Sequence, residues 1–355
     1  MQGARELRCL IAAGGTVGHV APSLAVAEAL RARGAEVTFA GSPDRVEARL
    51  VPDAGFAFDS FRVEGFPRRP GWRLLRAVSR ALAAPFAAVR ILRARRPDVV
   101  LGGGGYVAGP VVFASWLLRI PAAVTEADAE LGLANRLAAP FARRIFLAYP
   151  LPGRDGSRYL VVGRPIPSSS RVGDPAAARR RLLGDRPGPV VLVFGGSQGA
   201  RRLNEAALDA FAEEGPTVLH VSGERHYEEL ARRPRRDGYV LVPFLDEFGD
   251  ALAAADLVVA RSGGSVWEVA AAGKPAILVP FPFATADHQT KNARYFVDAG
   301  GAVLVPEDEL DLRGQVEQLL GDPARLAEMG DAMRAAARPE AADTIADELI
   351  AIATA

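Results

Sequence analysis

Cysteine is almost missing from this chain of 355 residues, and lysine nearly so. The single cysteine, Cys9, cannot close an internal disulfide, which excludes a disulfide scaffold. It stands in the apolar run 7–12, where a small thiol is expected to be buried and inert. Lys274 and Lys291 are the only lysines among 43 basic residues, a bias that fits genome composition and from which no function is drawn. The N-terminus lacks an apolar stretch closed by a small-residue cleavage site, so no secretory signal is read and a cytoplasmic protein is expected. One uncharged run, 99–118, has the length of a bilayer helix. Gly102 to Gly105, Gly109 and Pro110 would break such a helix, so a strand, a glycine loop and a short helix are expected instead.

What is present is ordinary in bulk. With 49% hydrophobic and 24% charged residues the chain is neither disordered nor collagen-like, and its length calls for two domains. The net charge of +1 hides an asymmetry. Residues 1–163 hold 22 basic and 13 acidic residues, a net of +9, and residues 164–355 hold 21 and 29, a net of −8. Different partners for the two halves follow from that.

Short apolar runs alternate with helical patterns throughout. Strands are expected at 7–12, 36–40, 99–101, 122–124, 144–147 and 159–162, then at 190–194, 218–221, 239–242, 257–260, 276–279 and 302–305. This alternation indicates parallel sheets and an α/β protein built as two similar doubly wound domains. The prolines of Val162-Gly163-Arg164-Pro165-Ile166-Pro167 mark the linker.

Each half opens with a strand, a glycine-rich turn and a helix. The turns are Gly14-Gly15-Thr16-Val17-Gly18-His19 and Gly195-Gly196-Ser197-Gln198-Gly199. Such turns let backbone N–H groups and a helix N-terminus approach an anion. A dinucleotide site needs in addition an acid closing the second strand, but that strand ends Phe39-Ala40-Gly41-Ser42. The lysine and spacing of a phosphate-binding P-loop are absent too, so a nicotinamide oxidoreductase is disfavoured.

The ordered motifs resemble the MurG family, inverting glycosyltransferases of the GT-B fold, over nearly the whole chain. They are the first glycine turn with Pro22, Pro97-Asp98-Val99-Val100-Leu101-Gly102 leading to Gly104-Gly105-Tyr106-Val107-Ala108-Gly109-Pro110, and Gly132-Leu133-Ala134-Asn135-Arg136. The second half adds Gly195 to Arg201 with Asn204, Phe244-Leu245-Asp246, Arg261-Ser262-Gly263, Glu268 to Gly273, and Asp287-His288-Gln289 with Asn292-Ala293. The resemblance implies two doubly wound, Rossmann-like domains facing across a cleft. It makes 1–162 the acceptor-binding, membrane-associating domain, with 339–355 packed back on it, and 163–338 the UDP-sugar domain. It also implies transfer of N-acetylglucosamine from UDP-GlcNAc to the C4 hydroxyl of muramic acid in undecaprenyl-diphosphate-linked lipid I. The product is β-linked lipid II, made at the cytoplasmic face of the bacterial inner membrane. A GT-B transferase for another UDP-sugar or lipid acceptor, a UDP-GlcNAc 2-epimerase and a weakened binding homologue are the alternatives.

By that resemblance Arg164, Phe244 and Leu245 flank the uracil, and Glu268 accepts from the ribose hydroxyls. Ser197, Gln198, Gly199, Ser262 and Gly263 hold the diphosphate with help from Arg261, and His288 and Gln289 contact the sugar. Thr16, Gly18 and Asn135 are counted with this donor set. No Asp-x-Asp cluster suggests a divalent ion, so no cofactor and no metal is expected. An inverting transfer needs one base for the attacking hydroxyl, and His19 is favoured over Glu126. Gly15, Gly104, Gly105, Tyr106, Asp128 and Asn204 are assigned to the acceptor, with Thr16 and Asn135 shaping its diphosphate and sugar site.

Two departures from the family stand out. Most members read His-Glu-Gln-Asn where this chain has Thr125-Glu126-Ala127-Asp128, and the loop before Glu268 is one residue short. Ten arginines and one acid, Glu64, lie between Arg62 and Arg96. Arg73, Arg76 and Arg80 share one helical face and Trp72, Leu75, Val78 and Leu82 another. With Phe66 and Arg69 ahead of it, this segment is expected to lie on an anionic membrane surface. No nucleic-acid recognition motif accompanies it.

Overall fold

The computed structural model describes residues 6–63, 71–196 and 199–355. Contacts divide the chain into two compact units, Met1–Pro167 with Pro339–Ala355, and Ser168–Arg338.

The first unit is built on seven parallel strands among the described residues: β1 (Arg8–Ala13), β2 (Glu36–Gly41), β3 (Ala57–Ser60), β4 (Val99–Gly104), β5 (Ala122–Glu126), β6 (Arg144–Leu147) and β7 (Tyr159–Val161). Their order in the sheet is β3-β2-β1-β4-β5-β6-β7. The helices between them are α1 (Val17–Ala32), α2 (Glu47–Asp53), α3 (Trp72–Arg95), α4 (Ala108–Leu117) and α5 (Leu133–Ala138). Strand alternation sends Cys9 and Ile11 to one face, with Leu30 of α1, and Leu10 and Ala12 to the other, with Leu92 of α3 and Val112 of α4. The sheet is therefore buried on both sides, which is why its strands read as continuous apolar runs. Burial pushes the Cys9 thiol up to about 12, so it is inert at neutral pH.

The second unit holds α6 (Pro175–Leu183), then β8 (Val190–Phe194), α7 (Arg201–Phe211), β9 (Thr217–Val221), α8 (Glu224–Ala231), β10 (Tyr239–Val242), α9 (Phe248–Ala254) and β11 (Leu257–Ala260). It continues with α10 (Val266–Ala271), β12 (Ala276–Leu278), α11 (His288–Asp298), β13 (Ala302–Leu304), α12 (Leu312–Leu320) and α13 (Pro323–Ala336). Its parallel sheet runs β10-β9-β8-β11-β12-β13. The last helix, α14 (Ala341–Thr354), belongs to the first unit, where Ile345, Leu349 and Ile352 join the α1 side of the core.

The uncharged run is indeed β4, a glycine turn and α4, and no helix among the described residues is long and apolar enough to cross a membrane. The unit boundary falls after Pro167 rather than after residue 162, because the segment following β7 stays attached to the first unit. There Arg164 Nη2 donates to the Gly18 carbonyl at 2.6 Å.

Candidate active site

Strand order reverses between β1 and β4 in one sheet and between β8 and β11 in the other. Loops leaving the carboxyl ends of strands at such switch points form the natural crevices of open α/β sheets. Both glycine turns leave from these points, after β1 and β8, and so do Gly105-Tyr106 after β4 and Arg261-Ser262-Gly263 after β11.

In the first unit the two glycine segments interlock. Gly14 N–H donates to the Gly104 carbonyl at 3.4 Å, and a Cβ on Gly15 would sit 3.5 Å from the Tyr106 ring. Gly104, at φ +105°, needs to be glycine twice over, since a Cβ there would also lie 2.6 Å from His19 Cδ2. His19, in the first turn of α1, is half-buried, with Nδ1 3.3 Å from the Thr16 hydroxyl. Burial, then the positive charge of Arg164, lower its pKa below the ordinary value. Asp128, hydrogen bonding to the Gly14 backbone and Glu47 act weakly the other way. The imidazole is thus neutral at neutral pH, the form a base requires.

Pro22 explains the position of Arg164. Lacking an N–H, Pro22 leaves the Gly18 carbonyl one turn earlier without its helical donor, and Arg164 supplies one. Arg164 is only 8% exposed and its side chain is engaged within the first unit. Expected beside the uracil, it lies in this structure as a neighbour of His19, with its buried Nε left without a partner.

Glu126 has three local partners. Its Oε2 accepts from Gly132 N–H at 2.8 Å and Asn135 Nδ2 at 2.9 Å, and Oε1 accepts from Asp128 N–H at 3.2 Å. Burial raises its pKa, and these three bonds oppose the rise. The carboxylate closes the loop between β5 and α5, a structural task that competes with service as a base. Asn135 also donates to the Thr125 carbonyl at 2.8 Å, while its buried Oδ1 has no partner.

In the second unit Gly196, at φ +86°, has open space where a Cβ would be, and Gly199, at φ +72°, packs against the Ser222 carbonyl. Ser197 and Gln198, expected on the diphosphate, lie outside the described residues. Phe244 is exposed beyond β10, with Leu245 half-buried beside it. Glu268, at the start of α10, accepts from the Ser170 hydroxyl at 2.9 Å. The Ser262 hydroxyl is buried without a partner next to Gly263. His288 donates from Nδ1 to the Thr285 carbonyl at 2.9 Å, and Gln289 Oε1 accepts from Phe281 N–H at 2.9 Å. Each therefore keeps its other polar end for a ligand: imidazole Nε2 and the amide NH2.

Two expected site residues are held by protein partners. Arg261 is 7% exposed, pairs with Glu307, and donates to the carbonyls of Val279 and Pro280 at 3.2 and 3.0 Å. Its charge is neutralised where it lies, and it braces the loop after β12. Asn204 is 0% exposed; Oδ1 meets His220 Nε2 at 3.0 Å and Nδ2 donates to the Ser222 carbonyl at 2.9 Å. Both polar atoms of its side chain thus have protein partners.

The structure also adds a residue absent from the sequence reading. Glu47 is buried against the first glycine turn, where Oε2 accepts from Gly15 N–H at 2.9 Å. In the sequence it looks like an acid in the first turn of a short helix, which is an ordinary occurrence.

Residues 9–147 match the family model of the glycosyltransferase family 28 N-terminal domain, and residues 190–345 that of its C-terminal domain. A relative from Halorhodospira halophila is 46% identical over 354 residues, covering 95% of this chain and 96% of its own. It is named UDP-N-acetylglucosamine--N-acetylmuramyl-(pentapeptide) pyrophosphoryl-undecaprenol N-acetylglucosamine transferase. A relative of the same name from Acidithiobacillus ferrooxidans is 44% identical over 348 residues, 95% of each chain. The crystal structure of Acinetobacter baumannii MurG superposes with a TM-score of 0.76 at 30% identity, over 97% of this chain and 99% of that one. The chain belongs to the MurG family of glycosyltransferases.

Its fold is accordingly GT-B, two parallel-sheet α/β units. For a MurG-family chain the departure at Thr125-Glu126-Ala127-Asp128 is local. Glu126 keeps its three bonds, and Asp128 contributes the backbone N–H for one of them, which any residue but proline supplies.

Proposed function

We propose that the chain transfers N-acetylglucosamine from UDP-N-acetylglucosamine to N-acetylmuramyl-(pentapeptide) pyrophosphoryl-undecaprenol, with inversion, giving lipid II and UDP. The observation that carries this reading is 44–46% identity over 95% of the chain to enzymes named for that transfer. The first unit takes the acceptor at the interlocked glycine turns, with Gly15, Gly105 and Tyr106 against its diphosphate and sugar. His19 accepts the proton of the attacking hydroxyl as that oxygen bonds to the anomeric carbon. The bond from that carbon to the diphosphate breaks with its electron pair, and UDP leaves. In the second unit the N–H groups of the Gly195–Gly199 turn and the start of α7 stabilise the negative charge left on the diphosphate. Glu268 holds the ribose, and His288 and Gln289 the sugar. This arrangement calls for no metal, because oriented backbone dipoles do the electrostatic work.

Membrane association belongs to the same proposal. Of the residues expected to touch lipid, Phe66 and Arg69 lie outside the described residues, as do the side chains of Trp72, Arg73, Leu75 and Arg76; Arg80 is half-buried on α3. On α3 and the adjacent α4, Phe86, Trp116 and Leu117 are 79%, 51% and 52% exposed. Aromatic and aliphatic side chains in water beside an arginine-rich helix support peripheral attachment to an anionic bilayer, at the cytoplasmic face. The test is an assay of purified protein with radiolabelled UDP-N-acetylglucosamine and a lipid I analogue. A disaccharide-lipid product forms at an equal rate with and without chelator; absence of product sinks the reading, and inhibition by chelator sinks its metal-free part.

A further inference from the structure

We propose that Glu47 is a positioning residue for the transfer, its carboxylate setting the first glycine turn and through it the base; this rests on His19 being that base. Glu47 opens α2 and is 0% exposed. Its Oε2 accepts from Gly15 N–H at 2.9 Å and its Oε1 from Ser42 N–H at 3.0 Å. The carboxylate thus bridges the segments that leave β1 and β2. Among the described residues it has no arginine or lysine partner. A buried carboxylate without a counter-ion is costly, so one kept in such a place must do what a neutral side chain does not.

Each of the two N–H donors meets its own oxygen, and among side chains only a carboxylate offers two acceptor oxygens on one rigid group. The surroundings are cut to admit it. A Cβ on Gly14 would collide with Glu47 Oε1, and one on Gly41 would stand 2.7 Å from Glu47 Cγ. The turn so held is the one on which the reactive groups lean. The His19 ring Nδ1 lies 3.3 Å from the Thr16 hydroxyl of this turn, Gly14 N–H donates to the Gly104 carbonyl, Gly105 packs on the Gly14 carbonyl, and Tyr106 packs over Gly15. Sliding the turn therefore moves the imidazole and the acceptor-facing tyrosine together.

The charged groups facing His19 are Arg164 from the segment after β7, Asp128 from the loop after β5, and Glu47 from α2. Glu47→Gln keeps the shape but sets an NH2 donor against one of two N–H donors, and removes one negative charge facing His19. The expected result is a kcat lower by about 10–100-fold, in the range that a small misplacement of reacting groups produces. KM for UDP-N-acetylglucosamine stays within about twofold, since the residues proposed above to hold its ribose, diphosphate and sugar belong to the second unit. The acid limb of the kcat–pH profile moves to lower pH, a change that loosened packing alone does not make. Glu47→Asp, which keeps the charge and shortens the reach, lowers kcat but leaves the limb where the parent has it. It also serves as the test if the glutamine variant does not fold.

A folded Glu47→Gln protein with parental kcat and limb overturns the inference, as does a kcat loss with an unmoved limb. If only Glu47→Asp folds, parental kcat in it is the overturning result. His19→Ala run in parallel separates the two ideas. Near-parental kcat in His19→Ala removes the base assignment; a dead His19→Ala beside an unaltered Glu47→Gln removes only the role of Glu47.

Discussion

The imidazole of His19 works in a balance of charges that single substitutions shift in opposite directions. Arg164 lowers its pKa, whereas Asp128 and Glu47 raise it. A base acts only when unprotonated, so kcat falls on the acid side as pH drops through the pKa of the imidazole in the enzyme–substrate complex. With His19 as the proposed base, burial and Arg164, which hold that pKa below the ordinary value, predict activity persisting to lower pH than a solvent-exposed histidine would allow. Replacing Arg164 by glutamine removes the cation while leaving a donor for the Gly18 carbonyl that Pro22 exposes. The acid limb of that variant moves to higher pH, opposite to Glu47→Gln. A limb that does not move in Arg164→Gln detaches this arginine from the base.

At the scale of elements, α7, β9 and β10 are joined by a buried polar chain. The amide of Asn204 is oriented by the Ser222 carbonyl, so its Oδ1 faces His220 Nε2, which must carry the proton. His220 Nδ1 then accepts from the Tyr239 hydroxyl at 2.7 Å. Every atom of the chain is satisfied with the ring neutral, and burial lowers the His220 pKa to about 3. In the unfolded chain the same ring titrates near ~6.5. Between those values the unfolded state binds the extra proton, so stability falls as pH falls through that window. His220→Gln is less stable than the parent near neutrality but lacks this slope. Urea midpoints should show the gap narrowing by roughly 2 kcal/mol between about pH 7 and about pH 5. A constant gap means that the ring is not held neutral.

These buried chains also mark where the sequence stops being legible. Strand periodicity and glycine punctuation reveal every strand of both sheets but β3, whose residues Ala57–Ser60 are half-exposed on a sheet edge and lack a continuous apolar run. The glycine turns, His19 and Tyr106 are visible because their chemistry is written in adjacent residues. The surroundings of Glu47, Arg164 and Asn204 are not legible there, because burial and partners distant in sequence set them. Glu47 is 32 residues from Gly15, and Arg164 is 146 from Gly18. Nothing local distinguishes an arginine free to meet a phosphate from one already paired, as Arg261 is with Glu307.

For the whole molecule, the uneven charge makes a prediction that the net value of +1 conceals. The first unit, α14 included, holds 23 basic and 17 acidic residues, a net of +6, and the second holds 20 and 25, a net of −5, so a negatively charged bilayer attracts the former and repels the latter. The exposed Phe86, Trp116 and Leu117 lie on helices of the attracted half, where insertion adds an apolar contribution that salt does not screen. Binding should therefore have two separable parts. Vesicles containing phosphatidylglycerol retain the protein in a sedimentation assay, phosphatidylcholine vesicles retain much less, and added salt weakens the former. Changing Phe86 and Trp116 together to serine lowers retention further at high salt, where only the apolar part remains. Salt-independent retention would remove the arginines from the account, and an unchanged double variant would remove the apolar patch. On the proposed reading UDP-N-acetylglucosamine meets the opposite situation, an anion entering the second unit with its net of −5. Its affinity then comes from short-range groups, and KM for the donor should change far less with salt than vesicle retention does.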